Sequence, residues 1–526
     1  MAKIALSLSG GGFRAATYHL GVLSYLNHLK TKDGTPLLDQ VSAVSTISGG
    51  TLTGLWFILR KSQGWSNERM LEELYRLLTT SDVCGRACRE FLCSENKNHS
   101  LIREMVRIYD EEIFQGATLG DLMEKIDDIS IDDFSANATE FVNSVEFRFQ
   151  VGKVFRTKNG GTSQGVIGNA QYRLPKSIAA QVLLAEVFAA SSCFPGGFEP
   201  LFFPRDFQLS KKAENADYVS TAKMLPLMDG GIVDNQGIEP INLVRDRRDL
   251  DLFIISDADC GQGSTFSYEE TSKWEHLNIR HLNIALNIVI LATAQFLLWV
   301  PTGFWRGFFL GITLIFLALR VATTVTARVA HRKLAKDIPF SFNWKELLTI
   351  PLGKYVDLVK SRALSLIELT NRVFMTHIRA QNYATVYNDD RWKNRRIMNA
   401  LYELCPDRKW DKNLTDEEKP LMEPSQAVLD NSKLATSMST TLWWSDEHRQ
   451  QGMPDVLVST GQYNTCWNLL EYIYRLRRDS DNLGPGTDAI VALQDTLEAD
   501  WKRFQQDPHW MVNSISLTPE ASADTK

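Results

Sequence analysis

The sequence predicts an α/β fold in which a central, mostly parallel sheet lies between helices. The main observation is that a strand, a turn of small residues and a helix occur twice within about sixty residues. The first set is the alternating apolar run Ile4–Leu8, the glycines at 10–12 and a helix through residues 15–23. The second set is a strand at residues 40–47, the turn at 48–50 and a helix with one apolar face.

The same patterns predict the later elements of the first half. Residues 64–135 are charged and helical in pattern, which indicates a solvated cover over the core. Residues 141–153 alternate like a pair of strands, and residues 178–190 predict a helix rich in Ala and Leu. A helix is expected from about Glu239, followed by an apolar strand at residues 250–256.

The C-terminal region, residues 337–526, is mostly helical in pattern. The clearest helical periodicity lies at residues 355–405 and 463–477. The short run at residues 456–459 indicates one more strand. Whether this region completes the core of the first half is left open by the pattern.

Length and composition indicate a globular chain of two or three domains, because 526 residues exceed one typical domain of roughly 100–200 residues. Apolar residues make up 44% and charged residues 23%, which is enough apolar material for a substantial core. The 57 basic and 63 acidic residues give a net charge of −6. Because no overall basic field results, nucleic acid is not expected as a partner.

Residues 282–327 form a hydrophobic segment whose only charges are Arg306 and Arg320. Its first 19 residues are uncharged and long enough for one span of a bilayer core of roughly 30 Å. Pro301-Thr302-Gly303 predicts a turn, and basic residues flank both outer ends, as expected for a hairpin with both ends on the cytoplasmic side. The pattern favours a membrane hairpin or shallow insertion over a pair of buried or oligomer-forming helices.

The cysteines indicate a reduced, cytoplasmic environment, because seven thiols in so long a chain do not make a disulfide framework. The first strand begins within a few residues of Met1, so no signal peptide is expected. Cys84, Cys88 and Cys93 are clustered near His99 at spacings within the range of zinc sites. No second ligand pair follows them, so free thiols are favoured over a metal site.

The glycine turn after the first strand predicts a site for negative charge, because a strand, a tight turn and a helix N-terminus direct several backbone N–H groups to one place. Gly10, Gly11 and Gly12 would suit the oxyanion hole of an acyl-transfer enzyme. The same residues also fit the dinucleotide pattern G-x-G-x-x-A. That reading is disfavoured because Asp33 and Asp39 precede the second strand instead of following it.

Ser48 is the best candidate nucleophile. It lies between a strand and a helix and precedes two glycines, which is the arrangement of a nucleophile elbow. The full elbow pattern is G-x-S-x-G, and Thr46 occupies the place of the first glycine. A serine that only caps the helix is the alternative.

The base that such a serine requires is sought among histidines and carboxylates. The nine histidines have no motif context, and His19 lies on a helix where packing or capping would explain it. Asp229 is better placed, since it follows a short apolar run and precedes Gly230-Gly231. On its own a D-G-G sequence is a common turn.

Together these motifs resemble the patatin-like phospholipase family, whose members carry G-G-G-x-R after the first strand, a serine elbow and a later D-G-G or D-G-A. The corresponding residues here are Gly10-Gly11-Gly12-Phe13-Arg14, the elbow at residues 46–50 and Asp229-Gly230-Gly231. Residues 137–139 with 147–149, and residues 190–195, also look like the family. Order and spacing agree across roughly residues 3–260, and only the first elbow position departs.

The resemblance implies a patatin-like three-layer fold and a Ser–Asp dyad without histidine. Ser48 would attack an ester carbonyl and Asp229 would take its proton. The amides of Gly10, Gly11 and Gly12 would form the oxyanion hole, with Arg14 supporting the loop or the developing charge. No cofactor and no metal is implied.

The resemblance implies a serine lipid acyl hydrolase of phospholipase type, acting on phospholipids or other acyl-ester lipids. The alternatives are a catalytically silent signalling or interaction protein on the same scaffold, and a thioesterase or acyltransferase using the same site. Residues 1–270 would form the catalytic core, 271–336 the hydrophobic insertion and 337–526 the C-terminal region. The protein is expected at the cytoplasmic face of a membrane, anchored through residues 282–327, and a regulatory partner or homo-oligomer is left open.

Overall fold

The computed structural model describes residues 2–93, 100–156, 162–245, 249–260, 277–337, 345, 348–438, 440, 443–478 and 487–512. They divide into two compact units. The first comprises residues 1–263 and 373–526, and the second comprises residues 264–372. The sheet lies entirely in the first unit.

Nine strands within the described residues form one sheet. They are β1 Ile4–Leu8, β2 Val41–Ile47, β3 Asp133–Glu140, β4 Val145–Arg156, β5 Thr162–Gly168, β6 Leu201–Phe203, β7 Leu225–Asp229, β8 Leu252–Asp257 and β9 Arg396–Ala400.

The helices precede, separate and follow these strands. In the first half they are α1 Gly12–His28, α2 Gly49–Ser62, α3 Asn67–Thr80, α4 Val83–Cys93, α5 Leu101–Tyr109, α6 Leu119–Lys125, α7 Lys176–Ala179, α8 Leu184–Ser192, α9 Ala216–Thr221, α10 Gly231–Asp234 and α11 Ile238–Arg245. In the second half they are α12 Ile279–Trp299, α13 Phe304–Asp337, α14 Leu352–Glu368, α15 Met375–Tyr387, α16 Lys419–Met422, α17 Gln426–Ser437, α18 Asp446–Gln450, α19 Met453–Arg478, α20 Thr487–Val491 and α21 Gln494–Gln506.

The predicted α/β class is confirmed, and the sheet is mixed. Its main order is β5-β4-β3-β2-β1-β8-β9, with β7 pairing with both β3 and β6. The pairings of β3 with β2, β2 with β1, β1 with β8 and β8 with β9 are parallel. The pairings that involve β4, β5, β6 and β7 are antiparallel. The parallel strands therefore form the centre of the fold, and the antiparallel strands extend one side of it.

The sheet has an apolar core on each face, because side chains alternate along a strand. On one face Ile4, Leu6 and Leu8 belong to a large cluster that includes side chains of α1, α2 and α19. On the other face Ala5 packs in a smaller cluster with side chains of α11 and with Trp392. Helices thus cover both faces, which gives three layers.

Four local predictions for the C-terminal region and the first half need correction. Residues 141–153 do not form a pair of strands, because residues 141–144 are a turn and the single strand β4 begins at Val145. Residues 456–459 do not form a strand but lie inside α19, and all four are buried. Within the predicted helical stretch 355–405, residues 396–400 form β9. The predicted helix at 178–190 is divided into α7 and α8.

The C-terminal helix α19 is the main partner of α1 in the first unit. A Cβ on Gly461 would lie 2.2 Å from the carbonyl oxygen of Tyr18, and a Cβ on Gly21 would lie 2.1 Å from that of Val458. Only glycine at both positions therefore allows the two backbones to approach so closely. The Tyr18 hydroxyl also donates to the carbonyl of Asn399 in β9, at 3.2 Å.

The second unit contains two helices that are long and apolar enough to cross a membrane, at Ile279–Trp299 and within α13 at Phe304–Val329. Only 17% of the most apolar stretch of the first helix is buried, and none of the second. Two hydroxyl contacts join the helices. Thr313 donates to the Thr293 hydroxyl, and Thr323 donates to the side-chain oxygen of Asn283, each at 2.8 Å.

Candidate active site

The glycine turn links the end of β1 to the start of α1. Gly11 and Gly12 have φ values of 142° and 63°, a region that side-chain-bearing residues rarely adopt. The Gly10 amide donates to the backbone carbonyl of Asn235 at 3.0 Å. No acceptor within the described part of the chain takes the amides of Gly11 and Gly12. These two N–H groups are therefore the ones available to an anion.

Ser48 lies in a strained turn between β2 and α2, with φ 49° and ψ −120°. A serine persists in this conformation only where its surroundings enforce it. The next two residues provide that constraint, because a Cβ on Gly49 would lie 1.9 Å from the Gly12 carbonyl oxygen and one on Gly50 would lie 2.4 Å from that of Leu8. The elbow is thereby packed directly against the glycine turn.

The threonine at the first position of the elbow is accommodated by a glycine on the following helix. A Cβ on Gly54 would lie 2.3 Å from the Thr46 methyl group, so the missing side chain of Gly54 leaves room for that methyl. The Thr46 hydroxyl donates to the Ser135 carbonyl at 3.3 Å and accepts from the Thr51 hydroxyl at 3.1 Å. The departure from the family pattern is therefore compatible with the elbow conformation.

Ser191, at the end of α8, holds the elbow from the other side. Its hydroxyl accepts the Ser48 amide at 2.9 Å and donates to the Asn137 carbonyl at 2.7 Å. The side-chain amide of Asn137 in turn donates to the Thr46 carbonyl at 3.0 Å. Because the Ser48 amide is engaged by Ser191, it is not a further oxyanion donor in this arrangement.

Asp229, the last residue of β7, faces Ser48. Its carboxylate accepts the Gly231 amide at 2.7 Å, and interaction with the nearby Ser48 hydroxyl lowers the pKa of this carboxyl. The Asp229 side chain is 7% exposed, and this burial raises its pKa to about 6. A carboxylate that is ionised at neutral pH yet more basic than an ordinary aspartate is suited to accept a proton from a hydroxyl.

His19 does not contribute to this pair. It is fully buried, with Nδ1 2.8 Å from the Ser256 hydroxyl and Nε2 3.0 Å from the Ser9 carbonyl. Burial lowers its pKa to about 4, so the imidazole is neutral at physiological pH. Its contacts join the ends of β1 and β8, which is a packing role.

Arg14 is buried on the first turn of α1 and supports the glycine turn from behind. One of its guanidinium nitrogens donates to the Met438 carbonyl at 2.8 Å and contacts Cys260 Sγ at 2.7 Å. These partners tie α1 to the segments that follow β8 and α17. The contacts of Arg14 are thus structural ones around the loop.

Helix α15 supplies contacts that the motifs did not indicate. The Asn382 amide donates to the Asp234 carboxylate at 3.1 Å and to the Val233 carbonyl at 3.2 Å. Arg379 pairs with Asp257 at the end of β8 and, at 2.9 Å, with Asp259. This helix therefore joins the turn after Asp229 to the strand beside β1. No local sequence pattern connects residues so far apart.

The clustered cysteines form no metal site in the described residues, where no group of three or more candidate ligands occurs. Cys84 is half-buried, whereas Cys88 and Cys93 are exposed on α4. The fourth member of the predicted cluster, His99, lies outside the described residues.

Comparison with family models assigns the domain that carries Ser48 and Asp229 to a class of lipid hydrolases. The matching model is that of the patatin-like phospholipases, over residues 6–241. The resemblance seen in the sequence is confirmed, and this part of the chain is a patatin-like phospholipase domain.

Similar solved structures include human GIVD cytosolic phospholipase A2 at 15% identity and a TM-score of 0.33, covering 49% of this chain and 43% of that one. The same human protein in complex with methyl gamma-linolenyl fluorophosphonate matches at 15% identity and a TM-score of 0.30, covering 49% and 40%. The chain thus spans less than half the length of these proteins. At such TM-scores the likeness supports no inference, and no curated protein matches significantly.

The buried carboxylate gives a stability prediction for Asp229→Asn. The folded-state pKa of about 6 exceeds the ordinary value of 3.8, so ionising Asp229 costs stability as pH rises from about 4 to 6, and the full cost remains above that range. Asp229→Asn should therefore increase the free energy of unfolding at pH 8 by about 1–3 kcal/mol and change it little at pH 4. Urea unfolding at both pH values measures this.

Asp217→Asn is the matched control, because Asp217 is an exposed residue on α9. Asp217→Asn should leave the difference in the free energy of unfolding between pH 8 and pH 4 the same as in the wild type. An equal effect of Asp229→Asn at both pH values would contradict a raised pKa at this carboxyl.

Proposed function

We propose that this chain is a serine lipid acyl hydrolase of phospholipase type, with Ser48 as nucleophile and Asp229 as base. The observation that carries the proposal is the proximity of Ser48, held in a strained turn, to the buried carboxyl of Asp229, whose pKa the serine hydroxyl lowers. Two unengaged amides of the adjoining glycine turn complete the arrangement. A nucleophile, a base and oxyanion donors are the groups that acyl transfer requires.

The reaction proceeds in two steps. Ser48 Oγ attacks the carbonyl carbon of an acyl ester while Asp229 takes the hydroxyl proton, and the carbonyl oxygen becomes an oxyanion. Collapse of this intermediate expels the alcohol, which receives the proton from Asp229, and leaves an acyl-serine. Water then attacks the acyl-serine, giving up a proton to Asp229, and the released serine oxygen recovers a proton from the same carboxyl group.

The oxyanion is stabilised by the amides of Gly11 and Gly12. The Gly10 amide was also predicted for this role, but it already donates to the Asn235 carbonyl. Each preorganised donor contributes about 10²–10³ in turnover at such sites. Arg14 serves to position the loop, because its guanidinium bonds Met438 and Cys260.

Substrates are acyl esters of membrane lipids, and the second unit holds the protein at the membrane. Many large apolar side chains of α12 and α13 are exposed, among them Leu291 at 69%, Leu298 at 82% and Trp299 at 81%. Such a continuous apolar surface is unfavourable in water and favourable in a bilayer. The site would then act at the cytoplasmic face of that membrane.

Replacing the nucleophile tests the chemistry. Ser48→Ala should reduce release of fatty acid from phospholipid vesicles by at least about 10³-fold, because no other group takes over acyl transfer when the nucleophile is lost. It should also abolish covalent labelling by a serine-reactive fluorophosphonate, read as a mass increase on the intact protein.

Ser192→Ala is the control for that experiment. Ser192 neighbours Ser191 on α8, and its hydroxyl donates to the Phe188 carbonyl of its own helix at 2.8 Å. This variant should retain hydrolysis and labelling. Equal hydrolysis by wild type and Ser48→Ala, or none by either, would refute the proposal and leave a non-catalytic scaffold.

The pH dependence tests the base. Because Asp229 must be ionised to accept the serine proton and its pKa is about 6, kcat/KM should rise about tenfold per pH unit below pH 6 and level off above it. A steady-state profile from pH 4.5 to 8 on a water-soluble acyl ester measures this without vesicle effects. A profile that is flat across pH 5–7 would exclude Asp229 as the base.

Membrane attachment is tested by placing charges in the two apolar helices. Leu291→Asp with Ile315→Asp should move the protein from the floating vesicle fraction to the aqueous one, since each central charge costs about 2.5–3.5 kcal/mol in a bilayer. The control, Leu92→Asp with Val142→Asp, changes two equally exposed residues of the first unit, at 80% and 72%. Flotation of both variants alike would contradict anchoring through these helices.

A further inference from the structure

A concave site lined by neither Ser48 nor Asp229 lies along the outer edge of β9. This strand ends the sheet, because β8 is its only strand partner within the described residues. A cleft of about 360 Å³ opens beside it, between β9, the loop that follows it and α19. That volume lies within the range of small-molecule pockets, about 300–1,000 Å³. We call it the β9 cleft.

The β9 cleft is strongly basic, in contrast to the acidic chain as a whole. Six cationic side chains and two acidic ones, Glu403 and Glu471, line it. The cations are Lys393, Arg396, Arg408, Lys409, Lys412 and Arg475. Such a concentration of one charge in a concave site focuses the electrostatic field on the space within it.

Most of this positive charge is not neutralised by protein partners. Lys393, Lys409 and Lys412 form no ion pair with any residue that the structure describes. The two carboxylates are only distant partners, since Arg408 Nε lies 3.7 Å from Glu403 and Arg475 Nη1 lies 3.8 Å from Glu471. Both distances exceed hydrogen-bond length.

The guanidinium groups are nonetheless held in place. Arg475 donates to the backbone carbonyl of Arg396 in β9 at 3.1 Å, which fixes it at the sheet edge. Arg396 stacks over the Tyr387 ring at 4.4 Å, and Arg408 stacks over the Tyr402 ring at 4.2 Å. Arginines oriented by such contacts lose less conformational entropy when they bind an anion.

Near neutral pH, Glu403 and Glu471 only partly compensate the positive charge of the cleft, because their carboxyl groups are partly protonated. Burial raises the pKa of Glu403 to about 7 and also raises that of Glu471 above its usual range. The buried Oε1 of Glu471 has no hydrogen-bond partner among the described residues. The local charge balance of the β9 cleft is therefore positive under physiological conditions.

We propose that the β9 cleft binds a small molecule or lipid headgroup that carries phosphate groups. Fixed guanidinium groups surrounded by exposed lysines match the geometry of a phosphate, which accepts several charge-assisted hydrogen bonds at once. Trp410 and Trp467 also line the cleft and provide apolar surface for the organic part. Neither Ser48 nor Asp229 lines the cleft, so its ligand would be bound apart from the proposed reacting groups.

The test uses the full chain in detergent and inositol 1,4,5-trisphosphate as a soluble probe, measured by titration calorimetry. Lys409→Ala with Lys412→Ala removes two exposed cations of the cleft and should weaken binding about tenfold or more, since charge-assisted hydrogen bonds to the phosphates are lost. The control, Lys433→Ala with Lys502→Ala, removes the same charge from exposed positions on α17 and α21 and should bind like the wild type.

A second arm distinguishes a lipid headgroup from a free ligand. Binding is compared on phosphatidylcholine vesicles that contain either phosphatidylinositol 4,5-bisphosphate or phosphatidylserine at equal charge. If the protein prefers the vesicles with phosphatidylinositol 4,5-bisphosphate and Lys409→Ala/Lys412→Ala loses this preference, the ligand is a lipid headgroup. If only the soluble probe binds in a way that depends on the cleft lysines, the ligand is a free phosphate compound. Absence of binding in both arms, or equal weakening by the control, overturns the proposal.

Discussion

The contact between the glycine turn and the serine elbow is the constraint on which the rest of the site depends. The Gly12 carbonyl lies where a side chain of Gly49 would be, at 1.9 Å from its Cβ position. This approach brings the free amides of the turn and the strained Ser48 together. The D-G-G turn closes in the same way, since a Cβ on Gly230 would lie 2.4 Å from the Asn137 carbonyl oxygen. The glycine turn and the elbow thus meet, and the D-G-G turn packs on β3, through backbone contacts that leave no space for side chains.

The same packing sets the chemistry of Asp229. Enclosing the carboxylate raises its pKa to about 6, and this makes it a stronger base at the cost of fold stability above that pH. The strain at Ser48 is a second such cost. Both lie at the proposed reacting groups, and the hydrogen bonds of Ser191 and Asn137 hold the strained turn in place. The burial of Asp229 and the strain at Ser48 lower the stability of the fold, and they preorganise the proposed site.

Local sequence patterns were sufficient to predict the three loops of the site, because a glycine run, an S-G-G and a D-G-G each specify a turn directly. They could not predict Ser191 or Asn382, whose roles arise from contacts with residues more than 100 positions away. The short strand β9 was missed because five residues between helical stretches carry little periodicity. Residues 456–459 were wrongly predicted as a strand for a related reason. They belong to α19, which is buried on nearly all sides and therefore lacks the polar face by which a helix is recognised in a sequence.

The folded unit around the site extends well beyond the residues that match the family model. That match ends at residue 241, yet β8 and β9 lie after it and complete one side of the sheet. Tyr383 donates to Asp257 at 2.7 Å and Asn382 to Asp234 at 3.1 Å, so α15 connects both sides of the proposed site. Helix α19 covers α1 through the paired glycines Gly21 and Gly461. The position of the glycine turn, and hence of its two free amides, therefore depends on residues from the C-terminal third of the chain.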